Sequence, residues 1–187
     1  MSCAGFVLVG GRSSRMGRNK ARLPYRGATL LEHIASQVRQ AAGSIWLVGP
    51  PEDYRDLPYP IIPDLYPDSG PAAGIHAALA AGLAEWNLVA ACDMPGLTGA
   101  FLAQLLAQAR RAAGRGLVPV GPDGRLQPLC AVYHRACLPD FERALAEGRT
   151  KLIRLAAELN LPRWPVAEGS WFENLNRPVE WELIAAR

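Results

Sequence analysis

Residues 4–38 read AGFVLVGGRSSRMGRNKARLPYRGATLLEHIASQV, and this stretch decides the fold. Ala4 to Val9 is a short apolar run stopped by Gly10-Gly11, the pattern of a buried strand. Gly10 to Pro24 follows as a long loop with three glycines. Thr29, with Glu32 three residues on, is a capping-box pattern and predicts a helix start. Leu30, Leu31, Ile34 and Val38 follow at helical spacing, and Gly43 ends the helix.

The same alternation continues outward. Ser44 to Val48 predicts a second strand, stopped by Gly49-Pro50-Pro51, and Pro60 to Pro63 a short third. Gly70-Pro71-Ala72-Ala73-Gly74 opens an Ala-rich helix to about Ala84, with Pro71 tolerated in the first turn. Trp86 to Cys92 is a fourth strand, and Thr98 caps a helix through Phe101, Leu102, Leu105 and Leu106. Gly116 to Val120 is a fifth strand and Leu126 to Tyr133 a sixth, broken by Pro128. Ala136 to Glu147, Thr150 to Leu159 and Pro178 to Ala185 read as helices. Strands alternating with helices mean βαβ units, hence an α/β fold: an open three-layer arrangement around a mostly parallel central sheet. Ligands of such sheets sit outside the carboxyl ends of the strands.

The chain has 187 residues, half of them hydrophobic, which suits one domain spanning 1–187. A chain this long buries about 70% of its unfolded surface and needs neither disulfides nor a structural metal. No apolar run reaches the ~18 residues of a membrane span. The N-terminal apolar run precedes the basic stretch, the reverse of a signal peptide, so the expected location is cytoplasmic. Cys3, Cys92, Cys130 and Cys137 form no C-x-x-C pair and no zinc spacing, and read as reduced thiols.

Charge is distributed unevenly. Arg12, Arg15, Arg18, Lys20, Arg22 and Arg26 precede the first acid, Glu32, while the remaining chain holds 14 bases against 17 acids. A nucleic-acid surface would spread its bases and interleave aromatics. Only Tyr25 lies within this cluster, which suits a small polyphosphate and no nucleic acid; a solvated Arg-rich loop is the plain alternative.

The loop itself reads Leu8-Val9-Gly10-Gly11-Arg12-Ser13-Ser14-Arg15-Met16-Gly17-Arg18-Asn19-Lys20. Glycines let backbone N–H groups approach a phosphate. Ser13 and Ser14 add hydroxyl donors, Arg15 a planar fork and Lys20 a point charge. Lys20 is one of two lysines beside eighteen arginines. The loop is neither a Walker A motif nor G-x-G-x-x-G. Asp93 ends the fourth strand beside Pro95, where a carboxylate either ligates Mg²⁺ or caps the next turn. Asp64 follows a Pro in a stretch, Pro50 to Pro71, that holds seven prolines, and it also reads as turn chemistry; Asp68 has only that reading. Asn174 and Asn176 share one face of an extended segment, or are ordinary loop residues.

The stretch 8–20 resembles the signature loop of the Rossmann-like nucleotidyltransferases, L-A-G-G-x-S-x-R-M-G-x-D-K. Further segments resemble the molybdenum cofactor guanylyltransferases, the MobA family, over nearly the whole chain. These are Ile62-Pro63-Asp64, Gly70-Pro71-Ala72-Ala73-Gly74, Ala91-Cys92-Asp93-Met94-Pro95, Gln127-Pro128-Leu129-Cys130-Ala131-Val132-Tyr133 and Phe172-Glu173-Asn174-Leu175-Asn176-Arg177-Pro178. The resemblance implies a Rossmann-like nucleotidyltransferase fold and an enzyme that joins GMP from GTP to molybdenum-bound molybdopterin with release of pyrophosphate. It implies Arg15, Lys20 and Asp93 as catalytic residues, Asp93 also holding Mg²⁺. It places Leu8, Val9, Gly10, Gly11, Ser13, Lys20, Asp64, Gly74, Asn174 and Asn176 around the nucleotide. It also implies transient contact with molybdoenzymes or their chaperones. Val9 stands for the usual Ala, Asn19 for the common Asp, and Gly49-Pro50-Pro51 where the family often places an Asn near the base.

Two other readings stay open: a cytidylyltransferase or other nucleotidyltransferase of the same fold, and a nucleotide-binding carrier without chemistry. His33, His76 and His134 are isolated and have no partner at ligand spacing. His76 lies near the helix start at Gly70–Gly74, where it could meet an anion. Trp164 and Trp171 read as core packing or as a face for a pterin or a partner. Cys92 reads as a small core residue at a strand end.

Overall fold

The computed structural model describes residues 2–10 and 19–174. In chain order these form β1 (Cys3–Leu8), a 3-10 turn (Lys20–Arg22), β2 (Pro24–Tyr25), β3 (Ala28–Thr29), α1 (Leu30–Ala42), β4 (Trp46–Val48), β5 (Ile61–Ile62) and α2 (Pro71–Ala80). Then come β6 (Trp86–Ala91), α3 (Gly99–Arg111), β7 (Gly116–Val120), β8 (Cys130–His134), α4 (Leu138–Ala146), α5 (Leu152–Glu158) and β9 (Arg163–Pro165). The helix expected at Pro178 to Ala185 lies outside the described residues, as do Gly11, Ser13, Ser14, Arg15 and Asn176.

Seven strands form one sheet in the order β5-β4-β1-β6-β8-β7-β9. β5, β4, β1 and β6 are parallel neighbours, β8 runs antiparallel between β6 and β7, and β9 lies parallel to β7. The reading of β1 as a buried strand has its cause in the packing. Ala4, Phe6 and Leu8 point into a core shared with α2, α4 and α5, and Val7 and Val9 into a core shared with α1 and α3. A strand covered on both faces reads as an unbroken apolar run. This is the three-layer, mostly parallel, Rossmann-like arrangement. Among the described residues no helix is long and apolar enough to cross a membrane.

The caps close as their residues predict. Thr29 Oγ1 accepts from the Glu32 N–H at 3.2 Å while the Thr29 N–H donates to Glu32 Oε2 at 2.8 Å. Thr98 Oγ1 accepts from the Phe101 N–H at 3.2 Å. Gln37 on α1 accepts from the Gly99 N–H at 2.8 Å and ties α1 to the start of α3. Gly5 allows α1 to lie directly on β1, since a Cβ there would stand 2.4 Å from Val38 Cγ1 and 2.6 Å from the Ser44 carbonyl.

Several boundaries differ from the sequence reading. The sixth strand begins at Cys130, because Gln127 to Cys130 forms a turn closed by the Cys130 N–H on the Gln127 carbonyl; Leu126 makes only an isolated bridge to Val120. The Ala-rich helix stops at Ala80, ahead of Gly82 at φ 65. Arg135–Cys137 is a 3-10 turn, so α4 starts at Leu138. The β2–β3 hairpin, turned by Arg26 and Gly27 at φ 48 and 80, and the edge strand β9 are additions.

Candidate functional site

Four parallel strands end level along one edge. The Cys92 N–H donates to the Leu8 carbonyl at 3.2 Å, the Val9 N–H to Val48 at 2.9 Å, and the Gly49 N–H to Ile62 at 3.1 Å. These bonds bring the ends of β6, β1, β4 and β5 together. Gly10, Asp64 and Asp93 therefore follow neighbouring strands on the same edge, where ligands of open α/β sheets bind. The helix α2 begins there too. Gly74 in its first turns packs on Leu8, and a Cβ at Gly74 would lie 3.2 Å from Leu8 Cδ2. The positive end of the α2 macrodipole thus points to this edge.

The residues read around the nucleotide sort by what their atoms already do. The Leu8 and Val9 side chains are buried in the two opposite cores, so only backbone from this pair faces the edge. Gly10 is exposed. Gly74 is buried, and the role visible for it is close packing against Leu8. Asp64 Oδ1 accepts from the Tyr66 N–H at 3.1 Å, so the turn chemistry is present. Burial nevertheless raises the Asp64 carboxyl above its ordinary pKa, partly offset by the Tyr66 bond and by His76. Asp68 takes φ 65, as a turn aspartate tolerates.

Asp93 is the most constrained of them. Its Oδ1 is buried without a hydrogen-bond partner among the described residues. Burial pushes its pKa up, and the charge of Lys20 pulls it back down. Lys20 opens the 3-10 turn whose first amides are capped by Asn19: Asn19 Oδ1 accepts from the Ala21 N–H at 3.1 Å. The fold thus sets a cation from the end of the glycine-rich loop against a carboxylate from the end of β6. Neighbouring Cys92 is raised to about 12 by burial and then by the Asp93 charge. It is a protonated strand-end thiol, as the core reading had it.

Asn174 is exposed and lies close beyond a 3-10 turn, Ser170–Phe172. That turn is held by an aromatic stack: Trp171 lies on Phe101 with ring centres 4.1 Å apart, and Trp164 on the same ring at 5.6 Å. A Cβ on Gly96 would come within 2.3 Å of the Ser170 carbonyl, so this turn rests on the chain just after Asp93. The two tryptophans pack; they also bring the segment before Asn174 back toward the Asp93 loop.

The histidines have packing roles. His33 meets Tyr25 edge-on at 4.7 Å and His134 meets Trp86 at 4.9 Å. His76 is 3% exposed, edge-on to Tyr66 at 5.0 Å, with Nδ1 unpartnered among the described residues and Nε2 4.0 Å from Glu142. Among the described residues no three His, Cys, Asp or Glu side chains cluster as a metal site. Sequence reasoning missed Tyr54, whose hydroxyl lies beneath the edge on the Val9 carbonyl and on Asn19. No local pattern marks it, because its partners are 45 and 35 residues away.

Comparison with known proteins agrees with this geometry. Residues 5–161 match the family model described as MobA-like NTP transferase domain. The chain is 30% identical over 95% of its length to the "probable molybdenum cofactor guanylyltransferase" of Carboxydothermus hydrogenoformans, of which it covers 92%. It is 36% identical, again over 95% of its length and 92% of the relative, to the protein of the same designation from Opitutus terrae. Among solved structures, molybdopterin-guanine dinucleotide biosynthesis protein A from Archaeoglobus fulgidus superposes with a TM-score of 0.83 at 27% identity, covering 97% of this chain and 96% of that one.

Proposed function

The chain belongs to the MobA-like NTP transferase family, and on that premise we propose that it transfers GMP from GTP to molybdenum-bound molybdopterin. In this reading the terminal phosphate oxygen of the pterin attacks the α-phosphorus of GTP. The bond from that phosphorus to the bridging oxygen of the β-phosphate breaks, and pyrophosphate leaves. The product is the guanine dinucleotide form of the cofactor. The whole span 1–187 serves as one catalytic domain, working in the cytoplasm and meeting molybdoenzymes or their chaperones transiently.

The observation that carries the reading is that the charge of Lys20 acts on the Asp93 carboxyl at the edge where β1 delivers Gly10. Transfer to phosphorus needs positioning and charge neutralisation more than covalent help from the protein. Gly10 and Gly11 offer backbone N–H groups to the phosphates. Ser13 adds a hydroxyl donor. Arg15 and Lys20 stabilise charge on the α-phosphate and on the departing pyrophosphate. Asp64 approaches the nucleotide from the end of β5, and Asn174 and Asn176 approach the phosphates from the C-terminal segment.

The residues present fit Mg²⁺. Among the described residues one buried carboxylate oxygen of Asp93 has no donor, and a dication is a natural partner for it. Mg²⁺ is commonly held by one or two carboxylates with phosphate oxygens and waters, so no cluster of three protein ligands is needed. When bound, the ion supplies Lewis-acid neutralisation of phosphate oxygens.

The test is pyrophosphate release with GTP and molybdenum-loaded molybdopterin, run beside CTP, ATP and UTP. Release with GTP alone supports the reading. Release with CTP alone moves the chain to a cytidylyltransferase, an outcome of interest because Gly49-Pro50-Pro51 replaces the family's Asn near the base. Nucleotide binding with no release from any pair would make it a carrier.

A further inference from the structure

Tyr54 is 1% exposed and sits under the carboxyl edge of β1. Its hydroxyl donates to the Val9 carbonyl at 3.0 Å and accepts from Asn19 Nδ2 at 3.0 Å. Val9 immediately precedes Gly10, and Asn19 immediately precedes Lys20. One buried hydroxyl therefore ties the residue just after β1 to the residue that caps the Lys20 turn. Burial, the largest influence, raises its pKa to about 12, so the proton it donates is present at any working pH.

The segment that carries Tyr54 is built to hold it there. Gly49 lets the end of β4 lie flush with β1, since a Cβ there would stand 2.9 Å from Val9 Cγ2 and 3.0 Å from the Gly10 nitrogen. Pro51 then opens a 3-10 turn, Pro51–Asp53, closed by the Tyr54 N–H on the Pro51 carbonyl. That turn swings Tyr54 back beneath the strand end. Arg22, on the same turn as Lys20, binds the Asp56 carboxylate through both terminal nitrogens and reaches the Asp53 carbonyl. Its guanidinium lies 5.7 Å from the Tyr54 ring centre. The Lys20 turn and the Tyr54 segment are thus joined twice, inside by a buried hydroxyl and outside by an ion pair.

We infer that Tyr54 is a positioning residue for the transfer reaction, which through Val9 and Asn19 sets the distance between the Gly10 backbone and the Lys20 ammonium. This rests on the reading that both groups meet one nucleoside triphosphate. Neither Tyr54 nor Asn19 has to touch the substrate. The effect comes from geometry, where a misplacement of about 1 Å can cost roughly a hundredfold.

The test compares the wild-type chain with Tyr54→Phe, which keeps the ring and removes the hydroxyl, with Asn19→Ala, and with the double variant. Two readouts are used: amide exchange of the ligand-free chain, and kcat and KM for GTP. Tyr54→Phe is expected to speed exchange at residues 8–10 and 19–23 while leaving β6 unchanged. It is expected to lower kcat for GTP about tenfold or more, with a smaller change in KM. The double variant should lose less than the product of the two single losses, because both remove one shared bond. Unchanged exchange in Tyr54→Phe, kcat within about twofold of wild type, or losses that simply multiply in the double variant would each overturn the inference. A wild-type chain that turns over no nucleoside triphosphate would instead overturn the transferase reading, and the exchange comparison would still decide whether the brace exists.

Discussion

The charge of Lys20 acts on the carboxyl of Asp93, although one residue follows the glycine-rich loop and the other follows a strand in the middle of the sheet. Burial raises the Asp93 pKa, and the charge of Lys20 opposes it. A carboxylate kept half-buried is costly to stability and useful for holding a cation. Asp93→Ala is therefore expected to leave the melting temperature unchanged or higher, while turnover falls at least about a hundredfold. Steady-state rates and a melting curve on the same preparation decide it. Near-normal turnover in the variant would remove Asp93 from the mechanism.

Lys20→Ala should likewise keep the fold and lose at least about a hundredfold in turnover, the scale of removing one group that stabilises transition-state charge. The double variant with Asp93→Ala should fall far short of the product of the two losses, because both act on the same phosphate charge. Multiplying losses would mean that the two residues serve separate steps.

How much of this was legible in the chain follows the distance over which each feature is decided. Thr29 and Glu32 satisfy one another across three residues, so the α1 start is visible in sequence. Leu8 and Val9 face opposite cores, so β1 shows as an apolar run. β8 runs back along β7 because the chain reverses at Gly121–Arg125, and its late start is set by the turn at Gln127–Cys130, which the apolar pattern of Leu126 to Tyr133 masks. Arg26 at φ 48 has no local signature, and the β2–β3 hairpin went unread with it. Asp93 was legible from its motif, but the burial of its oxygen and the action of the Lys20 charge on it are tertiary facts. Gly11, Ser13, Arg15 and Asn176 lie outside the described residues, and their place at the site rests on the motif they spell.

Gly5→Ala is expected to destabilise the chain. The new methyl would meet Val38 Cγ1 and the Ser44 carbonyl at 2.4 and 2.6 Å, and backbone cannot step aside as a side-chain tip can. Overpacking of this kind costs about 1–3 kcal/mol, a fall of roughly 2–12 °C in melting temperature for a chain of this size. An unchanged melting curve would show that α1 is free to lift from β1.

His76 gives a pH-dependence of defined sign. Burial lowers its pKa, against the opposing pull of Glu142 on α4 and Asp64 after β5, with the Tyr66 ring also packed on it. The unfolded chain, with an ordinary histidine near 6.5, takes up its proton first as pH falls. The contribution of neutral His76 is therefore complete above about pH 6.5 and is lost as pH drops toward the lowered native value. Melting curves of wild type and His76→Leu across pH 5 to 8 should diverge below about 6.5, with wild type losing more. Parallel curves would show that His76 titrates alike in both states.

Ligand-linked melting tests the edge of the sheet directly. Melting curves would be recorded with GTP, CTP, ATP and UTP, each with and without Mg²⁺. A nucleotide at ~100 times its dissociation constant adds ~2.7 kcal/mol, a rise of roughly 5–10 °C at this length. The largest shift is expected with GTP and Mg²⁺. It should shrink in Asp93→Ala when Mg²⁺ is present and change little when it is absent, because only the metal-bound form uses that carboxylate. A shift selective for CTP would reassign the base. The absence of any shift would leave the Lys20 ammonium without a triphosphate to hold, and with it the phosphate reading of the whole loop would fall.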